Sequence, residues 1–315
     1  MRWLCGLLSL AMCSIAGCRS LNFRNTPEQR PTPTVSNAGR FLTAAFKKRV
    51  QDPIKHAIEQ AGDQVKTEPP SHSRSWRADL MVLPLISIED SRVRIRNVRD
   101  CVYRSEDIYD LRHLDQEFSL DQVHSLDFIV VPFKEMPSLA HTMLSFGLDD
   151  GRYFVFSVEA RLEEGETYDP VAGALNEYEL IWLVGTERDL IQLRTRVRDV
   201  DVYLYRTKAT PQQVQQVFQA AAERVNQIAG QPEYYHTLTN NCTTNIVDMV
   251  NRIKPGYIPD DLRIVLPGHS DRLAYDLGLL AATGPFPAIK QASRINLQAK
   301  LYEDSPRFSQ AIRGQ

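Results

Sequence analysis

The chain has 315 residues, 43% of them hydrophobic, enough for one large domain or two small ones. Its formal net charge is −2, from 37 basic and 39 acidic side chains, so no bulk attraction for nucleic acid is expected. Five cysteines occur (Cys5, Cys13, Cys18, Cys101 and Cys242), with no CxxC pair and no Cys/His cluster at zinc spacing, so neither a metal nor a cofactor is expected.

Residues 1–18 read as an export signal: a charge at Arg2, then an apolar run over residues 3–15 that is too short to span a bilayer as a mature helix. The run ends in Ile15-Ala16-Gly17-Cys18, which resembles a bacterial lipobox. That resemblance implies that Cys18 is lipidated and becomes the mature N-terminus. The membrane is then a partner through the anchor, and the protein belongs to the bacterial cell envelope, facing the periplasm. Arg19 stands where an aspartate resembles an inner-membrane retention signal, which favours the outer membrane. An ordinary signal peptide with an incidental Cys18 is the alternative. Residues 19–75 form a polar, Pro-bearing tether, expected to be disordered early on, with a helical segment over residues 39–62 interrupted at Pro53. Pro69-Pro70 marks the boundary with a domain over residues 76–282.

From residue 76 to 205 the hydrophobic period moves towards two. Val93, Ile95 and Asn97 alternate with Arg94 and Arg96, and residues 127–133 are a continuous apolar run, a buried strand. Residues 139–148 and 153–162 flank Asp149-Asp150-Gly151, a hairpin turn signal. Residues 178–184 and 200–205 read as further strands. Residues 187–199 are heavily charged and read as a solvated surface; the alternative is that their arginines face an anionic head group or substrate. Then the period becomes helical. Thr210 fits an N-cap, Pro211 the first helical position and Gln213 the capping-box position, with Val214, Val217, Phe218, Ala221, Val225 and Ile228 as the buried stripe and Gly230 as the stop. A short helix is expected over residues 273–282. The extension over residues 283–315 has weak periodicity and is expected to be largely mobile. The fold class is α+β, an antiparallel sheet with packed helices.

Between these helices lies Thr239-Asn240-Asn241-Cys242-Thr243-Thr244-Asn245, where a loop becomes a helix whose apolar side is Ile246, Val247, Met249, Val250 and Ile253. Asn240 or Asn241 caps it, placing Cys242 in the first turn, where the positive end of the helix favours thiolate. Asn240, Asn241 and Thr243, with free backbone amides, are candidates to steady an oxyanion. The competing reading is a buried structural cysteine, or a disulfide to Cys101.

The hairpin supplies the base. A three-residue Asp149-Asp150-Gly151 loop pairs Leu148 with Arg152, which sets Met143 opposite Ser157 and His141 opposite Glu159. His141 is the general base for Cys242, with Glu159 orienting its imidazole. Ser145 and Ser157 are fallback polar partners on that face. Glu159 has a competing assignment, a salt bridge with Arg161. His236, near Cys242 in sequence, is the rival base.

The set His141-Thr142-Met143-Leu144-Ser145-Phe146, Ser157-Val158-Glu159-Ala160-Arg161 and residues 237–245, with Asn97-Val98-Arg99-Asp100 and Thr186-Glu187-Arg188-Asp189, resembles the Lnb-type N-terminal periplasmic domain family over about residues 76–282. The resemblance implies a permuted papain/NlpC-like fold, histidine strand before cysteine helix. It also implies a thiol acyltransferase that works through a Cys242 thioester on a lipoprotein or phospholipid-like acyl substrate. In the namesake, an acyl chain moves from the lipoprotein's own glyceride to its N-terminal amine. The namesake carries a membrane-spanning C-terminal part with no counterpart in this chain, so the chemistry carries over better than the substrate. A papain-like peptidase or amidase of the envelope and a non-catalytic binding lipoprotein are the alternatives. An apolar groove beside Cys242 favours acyl transfer and a polar open cleft the peptidase. A Cys101–Cys242 disulfide, or no cavity, favours the binding protein. Nothing in the sequence fixes the oligomeric state.

Overall fold

The computed structural model describes residues 68–315; Cys18, the export signal and the helix expected over residues 39–62 lie outside them. The end of the tether is laid against the domain. Arg74 pairs with Glu179 at 2.6 Å, and Trp76 donates from its indole to the carbonyl of His72.

The strands are β1 Leu85–Glu89, β2 Arg92–Arg99, β3 Val102–Tyr103, β4 Tyr109–Asp110, β5 His113–Ser119, β6 Val123–Pro132, β7 Ala140–Leu148, β8 Tyr153–Arg161, β9 Glu179–Thr186 and β10 Tyr203–Arg206. One sheet runs in the order β1-β2-β9-β8-β7-β6-β10, with β5 also paired to β2, while β3 and β4 form a separate hairpin. The sheet is mixed rather than purely antiparallel: β2 meets β9 in parallel at Arg99 and Gly185. No hairpin joins these two strands, so local turn geometry does not dictate their direction. The alternation expected along β2 also breaks. Val93 and Ile95 are buried, but Asn97 takes a left-handed φ of 63° at a register shift against β5, and Val98 resumes the core.

Helices cover both faces. Beyond α1 (Ala78–Met81) and α2 (Pro170–Gly173), α3 (Glu187–Gln192) follows β9 directly. The long α4 (Pro211–Gly230) starts and buries itself as its sequence predicts, Thr210 and Gln213 closing the capping box. Its Phe218 fills the centre of one face, edge-on to Phe146 and Phe156 at 5.3 and 5.5 Å between centroids. Truncating such a residue to Ala costs about 3–5 kcal/mol. Beside it lies α5 (Cys242–Ile253), whose Cys242, Ile246 and Met249 join the same core.

After α6 (Leu262–Val265), α7 (Ser270–Asp276) and α8 (Phe286–Ala292), whose Ile289 still joins the first core, the chain reaches the second core with α9 (Asn296–Leu301) and α10 (Phe308–Ala311). The C-terminal extension is therefore packed, against expectation. Ile295, Ala299, Phe308 and Ile312 close a second core with Ile129, Met143, Val155 and Leu190. α9 and α10 with their flanking residues each contribute two of these, and α8 gives Ile289 to the first core, so no period survives to be read. Arg313 ends the chain's path buried between two carboxylates, 2.7 Å from Asp127 and 2.5 Å from Glu187, and stacked on Tyr153.

The charged segment over residues 187–199 is a solvated surface only in its second half, where Arg196 and Asp199 are exposed. Glu187, Asp189 and Arg194 are buried, each with an opposite charge: Arg313, Arg99 and Glu159 respectively. Arg99 binds Asp189 through both Nε and Nη2 at 2.9 Å, and Thr186 donates to Asp100 at 2.8 Å. The two charged motifs thus lock β2 to the start of α3.

One feature of the sheet positions the site. The β6–β7 ladder runs to Pro132 opposite Ala140, and the β8–β9 ladder runs to Arg161 opposite Glu179. Between them, the β7–β8 ladder stops at Met143 opposite Ser157. The sheet forks at the end that carries His141 and Glu159.

Candidate active site

Cys242 sits at this fork. Asn241 is the N-cap of α5: its Oδ1 accepts from the backbone of Thr243 and Thr244, and the Thr244 hydroxyl accepts from the Asn241 backbone in return. That capping box fixes Cys242 at the first helical position, where the helix end carries partial positive charge. Thr142 on β7 lies beyond the end of the β7–β8 ladder, and its N–H turns to the Cys242 sulfur, 3.4 Å away. The Thr142 and Thr243 hydroxyls bond at 3.0 Å and tie the helix end to the strand.

On β7 and β8 the predicted register holds as far as Met143 and Ser157; beyond it the ladder has ended, and His141 and Glu159 meet through their side chains. Leu148 N–H donates to Arg152 O, and Met143 faces Ser157. His141 Nε2 lies 2.7 Å from Ser157 Oγ and 3.2 Å from Glu159 Oε1, while Ser157 Oγ donates to the same carboxylate oxygen at 2.7 Å. This network assigns the Nε2 proton to the Ser157 and Glu159 side, leaving Nδ1 for the thiol. Arg194 closes the array, its Nη2 2.8 Å from Glu159 Oε1 and its Nη1 on the carbonyl of Leu190. A π-helical turn over Leu193–Val197 carries Arg194 into this position.

The electrostatics follow from burial and these contacts. Burial alone pushes the Cys242 thiol up, but the His141 imidazole and hydrogen bonds from Thr142 outweigh it and bring the thiol down to about 7. Burial lowers His141, and Glu159 and the Cys242 sulfur together outweigh that, raising it to about 9. Burial would raise Glu159, yet His141 and Arg194 hold it well below the usual carboxylate range. Between those two values the array is a thiolate–imidazolium pair backed by a carboxylate and a guanidinium. Cys242 is 4% exposed, and the His141 and Glu159 side chains 12% and 22%, so the pair is shielded but reachable.

Reach is provided by a cavity of about 140 Å³ lined by Cys242, His141 and Glu159. Phe133, Leu139, Tyr168, Tyr235 and Pro267 give it an apolar wall, and arginines line another part. The Tyr168 and Tyr235 hydroxyls lie 3.3 Å apart.

Other expected residues lie elsewhere. Ser145 shares the His141 face but donates to Glu187 at 2.5 Å, since it lies deeper along the paired part of the ladder. Arg161 does not bind Glu159. It bonds the carbonyls of Leu80 and Met81 and stacks on Trp76, with 4.2 Å from guanidinium carbon to ring centroid. Asn240 is not the cap; its amide pins the loop to Glu233 and Tyr234, and its carbonyl accepts from Asn245. Asn241 and Thr243 use their groups in the cap and the strand tie, so among the backbone amides expected to steady an oxyanion, those of Thr243 and Thr244 are occupied. The Cys242 N–H, at the first helical position, has no partner within the helix. His236 accepts from Leu238 N–H within its own turn and does not line the cavity. Cys101 and Cys242 are both free. Cys101 is buried with Tyr103 and Leu193, and burial together with Asp189 pushes its thiol to about 12, an inert group. Tyr168 and Tyr235 carry no signal in the sequence, and Arg194 enters only through the alternative reading of the arginines in residues 187–199, of which Arg194 and Arg198 do line the cavity.

No curated protein and no solved structure matches the chain. The model of the Lnb N-terminal periplasmic domain family matches residues 109–268, which span β4 to the loop after α6 and include His141, Glu159 and Cys242. With half of its length matched, the chain belongs to the Lnb N-terminal periplasmic domain family, a family of periplasm-facing envelope domains.

Proposed function

We propose that this domain is a thiol acyltransferase of the cell envelope. The observation that carries the reading is one array: Cys242 at a helix N-terminus, His141 within hydrogen-bonding reach of Ser157 and Glu159, and Arg194 behind them, all at one cavity. A cysteine on a capped helix and a histidine on a neighbouring strand is the papain-like arrangement. Here the histidine strand precedes the cysteine helix, so the fold is read as a permuted member of that class.

In this mechanism the Cys242 thiolate attacks an ester carbonyl and forms a C–S bond. The Cys242 N–H and the positive end of α5 stabilise the oxyanion. The tetrahedral adduct collapses, the C–O bond breaks, and the His141 imidazolium gives its proton to the leaving alkoxide. The now neutral imidazole takes a proton from an incoming amine, which displaces sulfur to give an amide and restore the thiolate. Water in place of the amine gives hydrolysis. Glu159, charged throughout, holds the imidazolium, and Arg194 keeps that carboxylate ionised. The apolar wall of Phe133, Leu139, Tyr168 and Tyr235 suits the acyl end of a lipid or lipoprotein. At about 140 Å³ the cavity takes the reacting end of such a chain and not its whole length, since drug-sized sites start near 300 Å³.

Intact-mass measurement after exposure to a diacylated lipopeptide tests this. An acyl adduct that maps to Cys242 and disappears on addition of an amine supports acyl transfer. Absence of any adduct from every ester tried, with Cys242 still alkylated readily, overturns it.

A further inference from the structure

The cavity has an end that the thiol chemistry leaves unused. Arg77, Arg99, Arg194 and Arg198 line it, against Asp79 and Glu159. Two of these arginines are committed internally. Arg99 holds Asp189 with Nε and Nη2 and reaches Asp79 with Nη1, and Arg194 holds Glu159 and the carbonyl of Leu190. Arg77 is committed only in part, and Arg198 only at the surface. Arg77 gives Nε and Nη2 to Asp79, a carboxylate it shares with Arg99, and its Nη1 makes no hydrogen bond among the described residues. Arg198 gives only Nε, to Glu106, and that pair is open to water at 35% and 47% exposure. Four guanidiniums therefore face three enclosed carboxylates (Asp79, Asp189 and Glu159), and the fourth counter-charge is the solvent-exposed Glu106.

The backbone is shaped to this end as well. The π-helical turn closes with Arg198 N–H on the Leu193 carbonyl at 2.9 Å, and it puts Arg194 and Arg198 on the same cavity wall. Such turns are rare and recur at functional sites.

We propose that Arg198 and Arg77 form an anion subsite that takes the phosphate of an acyl-ester substrate whose carbonyl lies at Cys242, with Glu106 displaced into water. The inference rests on the thiol-acylation reading and names its donor: an ester of a glycerophosphate, not a neutral diacylglyceride. A guanidinium with two free N–H groups grips a phosphate bidentately, while the neutral lipid offers it only uncharged ester and hydroxyl oxygens. Sulfur gains the acyl group, the ester oxygen leaves with the His141 proton, and a lysophosphoglyceride departs.

The test uses the full chain in two arms. In the first, the Cys242→Ser protein is titrated calorimetrically with a short-chain diacyl glycerophosphate, the matching neutral diacylglycerol, and inorganic phosphate. The expected result is about tenfold or more tighter binding of the phosphate ester than of the neutral lipid. In Arg198→Gln that ratio falls towards one, and Arg198→Lys recovers part of it; a melting curve confirms that each is folded. Equal binding of the two lipids, or a ratio unaffected by Arg198→Gln, overturns the subsite. Inorganic phosphate binding as tightly as the ester also overturns it, because the site would then serve a free anion. In the second arm, Cys242 acylation by both lipids is followed by intact mass. Selective binding without any adduct rejects the thiol chemistry and leaves the subsite standing; adducts from both lipids at equal rates do the reverse.

Discussion

Replacing His141 with Ala removes the charge that makes Cys242 a thiolate near neutral pH, and the structure sets the size of the effect. The thiol stands at about 7 because the imidazolium outweighs burial. Without it, burial is opposed only by the Thr142 contacts and the end of α5, and the thiol returns towards its ordinary value, near 9. At pH 7 the thiolate fraction then drops from about one half to about one in a hundred, roughly a 50-fold loss of the nucleophile. The assay is the second-order rate of iodoacetamide alkylation at Cys242 from pH 5 to 10, read by mass spectrometry, with Cys101 as an internal unreactive thiol. The parent protein rises with a midpoint near 7, and His141→Ala shifts that midpoint by about two units. Acyl transfer behaves differently, because it needs the thiolate and a protonated His141 together. The thiol loses its proton above about 7 and the imidazolium loses its own above about 9, so turnover follows a bell between them. The two apparent values belong to the coupled pair. A folded His141→Ala protein that keeps its alkylation midpoint near 7 refutes the Cys–His assignment.

Three further outcomes follow from the same contacts. Glu159→Gln leaves Arg194, 3% exposed, without its carboxylate, so it costs about 3 kcal/mol of stability as well as activity; Glu159→Gln with Arg194→Met recovers stability but not turnover, by chemical denaturation and by acyl transfer. Arg313→Ala leaves the buried Glu187 without an opposite charge, while Asp127 keeps Arg206 at 2.7 Å, at a cost of about 3 kcal/mol, which lowers Tm by roughly 6–12 °C in calorimetry; an unchanged Tm would show that the C-terminal extension is not part of the fold. Cys18→Ala should leave the precursor unprocessed or release the protein from membranes on fractionation, and unaltered membrane partition and mass would rule out lipid anchoring at that position.

The sequence by itself determined the elements whose reasons are local. The capping box at Thr210 and Gln213, the stripe of α4, the Asn241–Cys242 helix start and the Asp149-Asp150-Gly151 turn each rest on residues a few positions apart. The turn also sets the hairpin register, which brings the His141 and Glu159 side chains to the same end of β7 and β8. Tertiary structure decided what depends on distant partners. Cys242 meets His141 only because the β7–β8 ladder ends early and α5 packs into the fork, a juxtaposition across a hundred residues. Arg194, Asp189 and Glu187 read as surface charges because a charged side chain shows no period. Their burial is set by partners at Glu159, Arg99 and Arg313. The same holds for the C-terminal extension and for the parallel pairing of β2 with β9. A buried charge is tolerable only where the fold delivers its counter-charge, and no local pattern announces where that will be.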